Sequence, residues 1–270
     1  MATTNYKTGD EIFKEYRCIR YLDEGGFGKV YLVENFVNLP YALKILHKDV
    51  NLEIRGIEAI KGIISDYLIK IIDYGKNSKD ENCIVMEYIP DSLARKIMAG
   101  PISEKEALNY CIGILKGLKK LHDQGVIHRD IKPENLFILD NIKIGDFGTA
   151  KYTSGQSEMT AGIGTIAYMA PETFDDIYGF QADLWSTGVV IFKMLSGKLP
   201  FEGKSRAGIF GAIMQKEPDL SIVPNKFNSF FKKCFKKSPE ERYQNVEEMQ
   251  ESLEICVIEI LFGLFLNQCL

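Results

Sequence analysis

The run His128-Arg-Asp-Ile-Lys-Pro-Glu-Asn135 sets a carboxylate (Asp130), an ammonium (Lys132) and an amide (Asn135) on one short stretch. A carboxylate can take a proton from a hydroxyl, an ammonium can offset negative charge, and an amide oxygen is a hard donor for a divalent cation. Asp146-Phe-Gly148 follows with a second carboxylate. A solvated surface turn would account for the polarity, but not for this ordered set. Upstream, Tyr41-Ala-Leu-Lys44 places a lysine on an apolar strand, where it gains nothing unless it meets negative charge. Earlier still, Leu22-Asp-Glu-Gly-Gly-Phe-Gly-Lys-Val30 carries glycines at 25, 26 and 28, which let backbone N–H groups approach phosphate oxygens closely. Alone, the last two features have ordinary readings, a snorkelling strand-end lysine and a glycine-rich turn. Alongside the polar loop they point to chemistry at a phosphate.

The elements that must position these groups divide into two regions. Tyr16–Leu22 and Val30–Glu34 flank the glycine turn, and Tyr41–Leu46 and Asn82–Glu87 are short apolar runs; all four read as strands. Glu53–Ile64 interrupts them with isoleucines at 54, 57, 60, 63 and 64, close to helical spacing. From Ser92 onward helices dominate. Ser103-Glu-Lys-Glu106 has the form of a capping box and opens a helix through Leu121. Gln181–Leu195, Asn228–Phe235 and Asn245–Leu253 read as three more. A hinge is expected near Glu87–Asp91, where Pro90 discourages regular structure.

Composition narrows the field further. The 270 residues suit one large domain or two lobes sharing a cleft. A net charge of −4 gives no sign of a nucleic-acid binder, which would normally show a basic face. The six cysteines are scattered with no C-x-x-C pair, and there are three histidines, so reduced thiols in a reducing compartment are expected rather than disulfides or a metal site. The polar stretch Met1–Lys14 does not read as a secretory signal. A cytoplasmic location is the resulting expectation.

The ordered motifs resemble the eukaryotic-type protein kinase family, whose phosphoryl-transfer template has the same parts. The resemblance extends from about Tyr16 to Leu253 through Gly164-Thr165, Met169-Ala-Pro-Glu172, Asp183-Leu-Trp-Ser-Thr-Gly188, Gly197-Lys-Leu-Pro-Phe201 and Pro239-Glu-Glu-Arg242. It implies an α+β, bilobal fold, with a small antiparallel N-lobe (16–89) carrying one main helix and a mainly helical C-lobe (90–254). Residues 1–15 are then an N-terminal extension and 255–270 an apolar tail.

The resemblance also implies an activity and its residues. The activity is transfer of the γ-phosphoryl group of ATP to serine or threonine hydroxyls of proteins. Asp130 would position and deprotonate the acceptor, and Lys132, which resembles serine/threonine rather than tyrosine kinases, would offset charge on the transferring group. Asn135 and Asp146 would hold Mg²⁺, with Mn²⁺ as an alternative. Lys44 would hold the ATP phosphates and pair with a glutamate of the first helix. Glu53 and Glu58 both qualify; Ile57, one turn after Glu53, favours Glu53, whereas Glu58 has the more usual separation from the lysine. The nucleotide would lie against Leu22, Asp23, Glu24, Gly25, Gly26, Phe27, Gly28 and Val30, with Ala42 above the base, Phe137 below it, Met86 at the back, and the backbone of Glu87 and Ile89 bonding its edge. Thr165 would line the acceptor pocket. Phosphorylation near Thr160, with Thr153 and Ser157 as alternatives, would order its segment through Arg129 and Lys151. Glu172 and Arg242 would form a buried bracing pair, and Asp183 would orient the catalytic loop.

Two features depart from the family pattern. Asp23 stands where the first glycine of the phosphate loop is expected, and the link between Lys44 and its helix is short. The stretch Ile255–Leu266 is nearly all apolar but shorter than a bilayer span needs. A last helix packed on the large lobe is favoured for it over an interfacial anchor or a dimer contact. Intact Lys44, Asp130, Asn135 and Asp146 argue against a pseudokinase scaffold, and Gly164-Thr165 with Ala170-Pro-Glu172 argues against a small-molecule kinase.

Overall fold

In the computed structural model of the chain, residues 5–25, 28–47, 50–100, 102–152 and 166–267 are described; for Leu52, Lys151, Tyr152 and residues 257–267 this covers the backbone alone. The first lobe contains β1 (Glu11–Phe13), β2 (Tyr16–Glu24), β3 (Gly28–Glu34), β4 (Pro40–Leu46), α1 (Val50–Ile60), β5 (Ile71–Lys76) and β6 (Asn82–Glu87). Its strands form one antiparallel sheet in the order β1-β2-β3-β4-β6-β5. Both faces of β4 are covered, which is why it reads as a nearly continuous apolar run. Leu43 and Ile45 face a cluster with Tyr31, Val33, Cys83 and Val85, while Leu46 packs with Ile57 of α1 and Ile84. The period of two therefore puts Lys44 on the face that α1 covers.

Within the expected extension over residues 1–15, the stretch from Tyr6 to Phe13 packs on the first lobe. Tyr6, Ile12 and Phe13 are buried in the outer cluster, and β1 pairs with β2. The apolar residues of this segment are too few and too widely spaced to signal a strand by themselves. The first helix differs from expectation. It starts at Val50 and stops at Ile60, leaving Ile64 94% exposed beyond the turn at Gly62, where φ is +92°.

The second lobe follows Pro90. It contains β7 (Asp91–Ser92), α2 (Leu93–Ala99), α3 (Glu104–His122), β8 (Val126–Ile127), β9 (Leu136–Ile138), β10 (Ile142–Ile144) and β11 (Lys151–Tyr152). Four further helices follow: α4 (Phe180–Ser196), α5 (Arg206–Gln215), α6 (Asn228–Cys234) and α7 (Val246–Asn267). Ser103 caps α3 by accepting from the Glu106 N–H at 3.3 Å. The reciprocal half of the box is not made, because Glu106 binds Lys96 and Tyr110 instead. Two glycines let α3 lie directly on β10: a Cβ on Gly113 would meet Ile142 at 2.4 Å and one on Gly117 would meet Ile144 at 2.8 Å. The short strands that carry the polar loop are thereby seated on the core helix.

Helix α4 is the centre of the lobe, with Trp185 stacked on Phe201 at 5.4 Å and edge-on to Phe235 at 5.2 Å. Helix α7 continues without a break from 246 to 267, through the start of the expected tail, with Leu253 and Cys256 buried. Among the described residues no helix is long and apolar enough to cross a membrane. Cys18, Cys83, Cys111 and Cys234 are free and buried, and Cys256 is buried; Cys269 lies outside the described residues.

Candidate active site

Lys44, Glu53 and Asp146 meet between the lobes. The Lys44 ammonium lies 2.6 Å from Glu53 Oε1 and 3.0 Å from Asp146 Oδ1. Glu58, the other candidate, is exposed on the far side of α1. Burial pulls the Lys44 ammonium down, but Asp146 and Glu53 outweigh it and hold its pKa above the ordinary lysine range. Burial likewise pushes the Asp146 carboxyl up, and Lys44, followed by Lys132 and His128, more than reverses this, so it stays ionised. The short link from β4 therefore does not prevent the pairing.

The close approach depends on glycine. A Cβ on Gly56 would lie 1.8 Å from the carbonyl oxygen of Phe147, and one on Gly148 would lie 2.4 Å from the Glu53 carboxylate. Helix α1 thus rests on the Asp146-Phe147-Gly148 segment itself. Asp146 adopts a left-handed conformation, with φ 58° and ψ 74°, which aspartate tolerates better than most residues.

The polar loop is built around Asp130. Its Oδ2 accepts from Lys132 at 2.7 Å and from the Asn135 amide at 2.9 Å, and its backbone oxygen accepts from the same amide at 2.8 Å. Its Oδ1 is buried and, among the described residues, has no hydrogen-bond partner. A buried acceptor without a donor is costly, and a catalytic role or a bound water or ion is among the reasons such an atom is kept. The loop is held from below by Asp183, which takes the N–H groups of His128 and Arg129 at 2.9 and 2.8 Å and the His122 ring at 2.9 Å. Two anchored N–H groups fix the turn in which Arg129 is left-handed, with φ +71°.

The donor set suits a hard divalent cation. The Asn135 nitrogen is engaged with Asp130, which leaves its oxygen for a metal, and the Asp146 carboxylate is a third exposed. The Gly145 N–H bonds the Asn135 backbone oxygen at 2.9 Å, bringing the two candidate ligands onto adjoining backbone. Of the residues expected around a nucleotide, Ala42 and Ile89 are buried and Leu22, Val30, Met86, Glu87 and Phe137 are half-buried. Asp23 and Glu24 are exposed, and Asp23 accepts from the Glu24 N–H at 2.8 Å. Gly25 N–H bonds the Gly28 oxygen at 2.9 Å, while Gly26 and Phe27 lie outside the described residues. Gly28 has a further reason to be glycine, since a Cβ there would strike the Ile45 oxygen at 2.2 Å.

Glu172 and Arg242 form a bidentate pair at 2.8 and 2.7 Å, with the guanidinium also donating to the Lys236 and Lys237 oxygens and lying 4.7 Å from the Trp185 ring centre. The Arg129 guanidinium stacks on Tyr178 at 4.3 Å. Thr160 and Thr165, with Thr153 and Ser157, lie outside the described residues, as does the Lys151 side chain. His122, Tyr178, Gly56 and the Glu87 side chain were not singled out by the sequence. Their parts in the site come from long-range contacts that leave no local pattern.

The model of the protein kinase domain matches residues 16–253. This chain belongs to the protein kinase family. Its relatives include the serine/threonine-protein kinase PrkC of Bacillus subtilis, 29% identical over 91% of this chain and 41% of the relative. The serine/threonine-protein kinase pkn2 of Myxococcus xanthus is 34% identical over 70% of this chain and 25% of the relative. A probable serine/threonine-protein kinase of Clostridium perfringens is 30% identical over 91% and 39%. The chain therefore spans well under half the length of these curated relatives. Protein kinases use ATP and a divalent metal ion, and the bilobal architecture is that of the family.

Proposed function

We propose that this kinase domain transfers the γ-phosphoryl group of ATP to serine or threonine hydroxyls of protein substrates. The observation that carries the reading is the buried Oδ1 of Asp130, unpartnered among the described residues, whose other oxygen is held by Lys132 and Asn135. A substrate hydroxyl is the donor that this oxygen lacks. Accepting its hydrogen bond aims the nucleophile, and the proton moves to Oδ1 as the new O–P bond forms and ADP departs. Lys132 offsets charge on the transferring group from the same side.

When bound, ATP and its metal ion supply the phosphoryl group and neutralise its charge. Asn135 and Asp146 hold that ion through oxygen, for which Mg²⁺ is the favoured occupant and Mn²⁺ the alternative. Lys44, kept rigid by Glu53, takes the phosphates. Leu22, Val30, Ala42, Met86 and Phe137 enclose the base, with the Glu87 and Ile89 backbone at its edge. Most of the rate enhancement then comes from positioning and fixed charge. The buried free thiols are in keeping with a reducing compartment, and we place the reaction in the cytoplasm.

Purified protein incubated with γ-labelled ATP, Mg²⁺ and a generic protein substrate tests the reading. Label recovered on phosphoserine or phosphothreonine is the expected result. ATP bound without transfer, even after loop phosphorylation by an added kinase, would overturn it.

A further inference from the structure

One ion pair beside the nucleotide site has no part in the chemistry above. Glu87 ends β6 at the hinge, and Lys143 is the middle residue of β10, three positions before Asp146. The Lys143 ammonium donates to both Glu87 oxygens, at 2.9 and 3.0 Å, and the side chains are only 16% and 24% exposed. Glu87 Oε1 also accepts from the Lys70 N–H at 2.7 Å, and the Glu87 N–H returns a bond to the Lys70 oxygen at 3.0 Å. The segment before Lys70 is tied to the same strand: Ile69 N–H bonds the Ile144 oxygen at 2.8 Å, and Ile144 N–H bonds the Tyr67 oxygen at 2.9 Å.

These bonds have a common consequence. Ile142 and Ile144 turn into the core, so the alternation of β10 leaves Lys143 on the opposite face, toward the hinge. A partly buried carboxylate with three hydrogen bonds, two from an ammonium and one from a backbone N–H, is held more firmly than a surface pair. The pair links the backbone proposed to bond the base with the strand leading to the proposed metal ligand.

We infer that Lys143 is a positioning residue for the nucleotide: through Glu87 it sets the hinge against β10, so that the base and the metal-bound phosphates are accommodated together. The inference rests on the ATP-dependent reading above. A ligand held at two places gains affinity when the distance between them is fixed in advance. Loosening the pair therefore weakens nucleotide binding, while the Asp130 loop, held separately by Asp183, keeps its geometry.

The test is calorimetric binding of ATP with Mg²⁺ to wild type, Lys143→Met, Lys143→Arg and Glu87→Gln, with steady-state kinetics and amide hydrogen exchange over residues 87–89. Lys143→Met is expected to raise both the Kd and the KM for ATP roughly tenfold, to change kcat less than about twofold, and to speed exchange at the hinge. Lys143→Arg is expected to recover most of the affinity, and adding Glu87→Gln to Lys143→Met should cost little more. If Lys143→Met does not fold, Glu87→Gln, of nearly equal volume, carries the same expectation. A wild-type Kd in a folded variant overturns the inference and makes the pair merely structural. A wild-type protein that binds no ATP overturns the kinase reading itself.

Discussion

Gly56 of α1 meets the carbonyl oxygen of Phe147 so closely that a Cβ at this position would lie 1.8 Å away. The helix that supplies Glu53 therefore sits directly on the segment that supplies Asp146, and Lys44 bridges the two. In an open helix, replacing glycine by alanine stabilises by about 1 kcal/mol. Here the obstacle is backbone, which has no rotamer to yield, so the sign reverses. Gly56→Ala is expected to displace α1, part Glu53 from Lys44 and lower kcat/KM for ATP by about tenfold or more. Steady-state kinetics on a variant shown to be folded by circular dichroism provides the check; unchanged kinetics would mean that α1 can move without consequence.

Arg242 has four hydrogen bonds in a buried site, two of them to Glu172. Removing one partner strands the other charge. Arg242→Leu is expected to cost about 3–5 kcal/mol of stability. The double variant with Glu172→Leu should recover part of that loss. Urea unfolding midpoints measure both, and a double variant no better than Arg242→Leu would show that the backbone contacts of Arg242 matter more than the pair.

Asp183 gives the fold an acid limit. Burial pushes its carboxyl up, but His122, then His128 and the bound N–H groups, hold it below the usual range. Such a carboxylate stabilises the fold above its unfolded pKa of about 3.9 and loses that contribution as pH falls through the lower folded value. Wild type should therefore lose more stability between about pH 5 and pH 3 than Asp183→Asn, although the variant starts less stable. Urea midpoints across that range decide it; equal acid losses would show that other carboxylates dominate.

The strands and helices that were legible in the sequence are those with a sustained apolar run. β6 runs over Asn82–Glu87 as expected, and α4 and α6 differ from expectation by a residue at their ends. The elements without a readable period were missed. Helix α5 contains Gly208 and Gly211 among apolar residues on all sides, and α2 is a single short stretch capped by Ser92. β5 includes Asp73 and Gly75, and becomes a strand by pairing with β6. At the site, Asp130, Lys132, Asn135 and Asp146 stand out because their chemistry is concentrated in two short runs. Glu53 rather than Glu58 lies against Lys44 through contacts about ninety residues apart in the chain, Gly56 on Phe147 and Glu53 on Gly148, which no local pattern announces. The Glu87–Lys143 pair, 56 residues apart, leaves no signal in either neighbourhood.

The most direct test of the account compares Asp130→Asn with wild type in both ATP binding and phosphotransfer. The substitution keeps the shape of a side chain held by Lys132 and Asn135 but removes the acceptor proposed to take the substrate proton. Asp130→Asn is expected to lower kcat by about 10²–10⁴-fold, with a Kd for ATP and Mg²⁺ close to that of wild type. An Asp130→Asn protein that transfers phosphoryl groups at the wild-type rate would contradict the account.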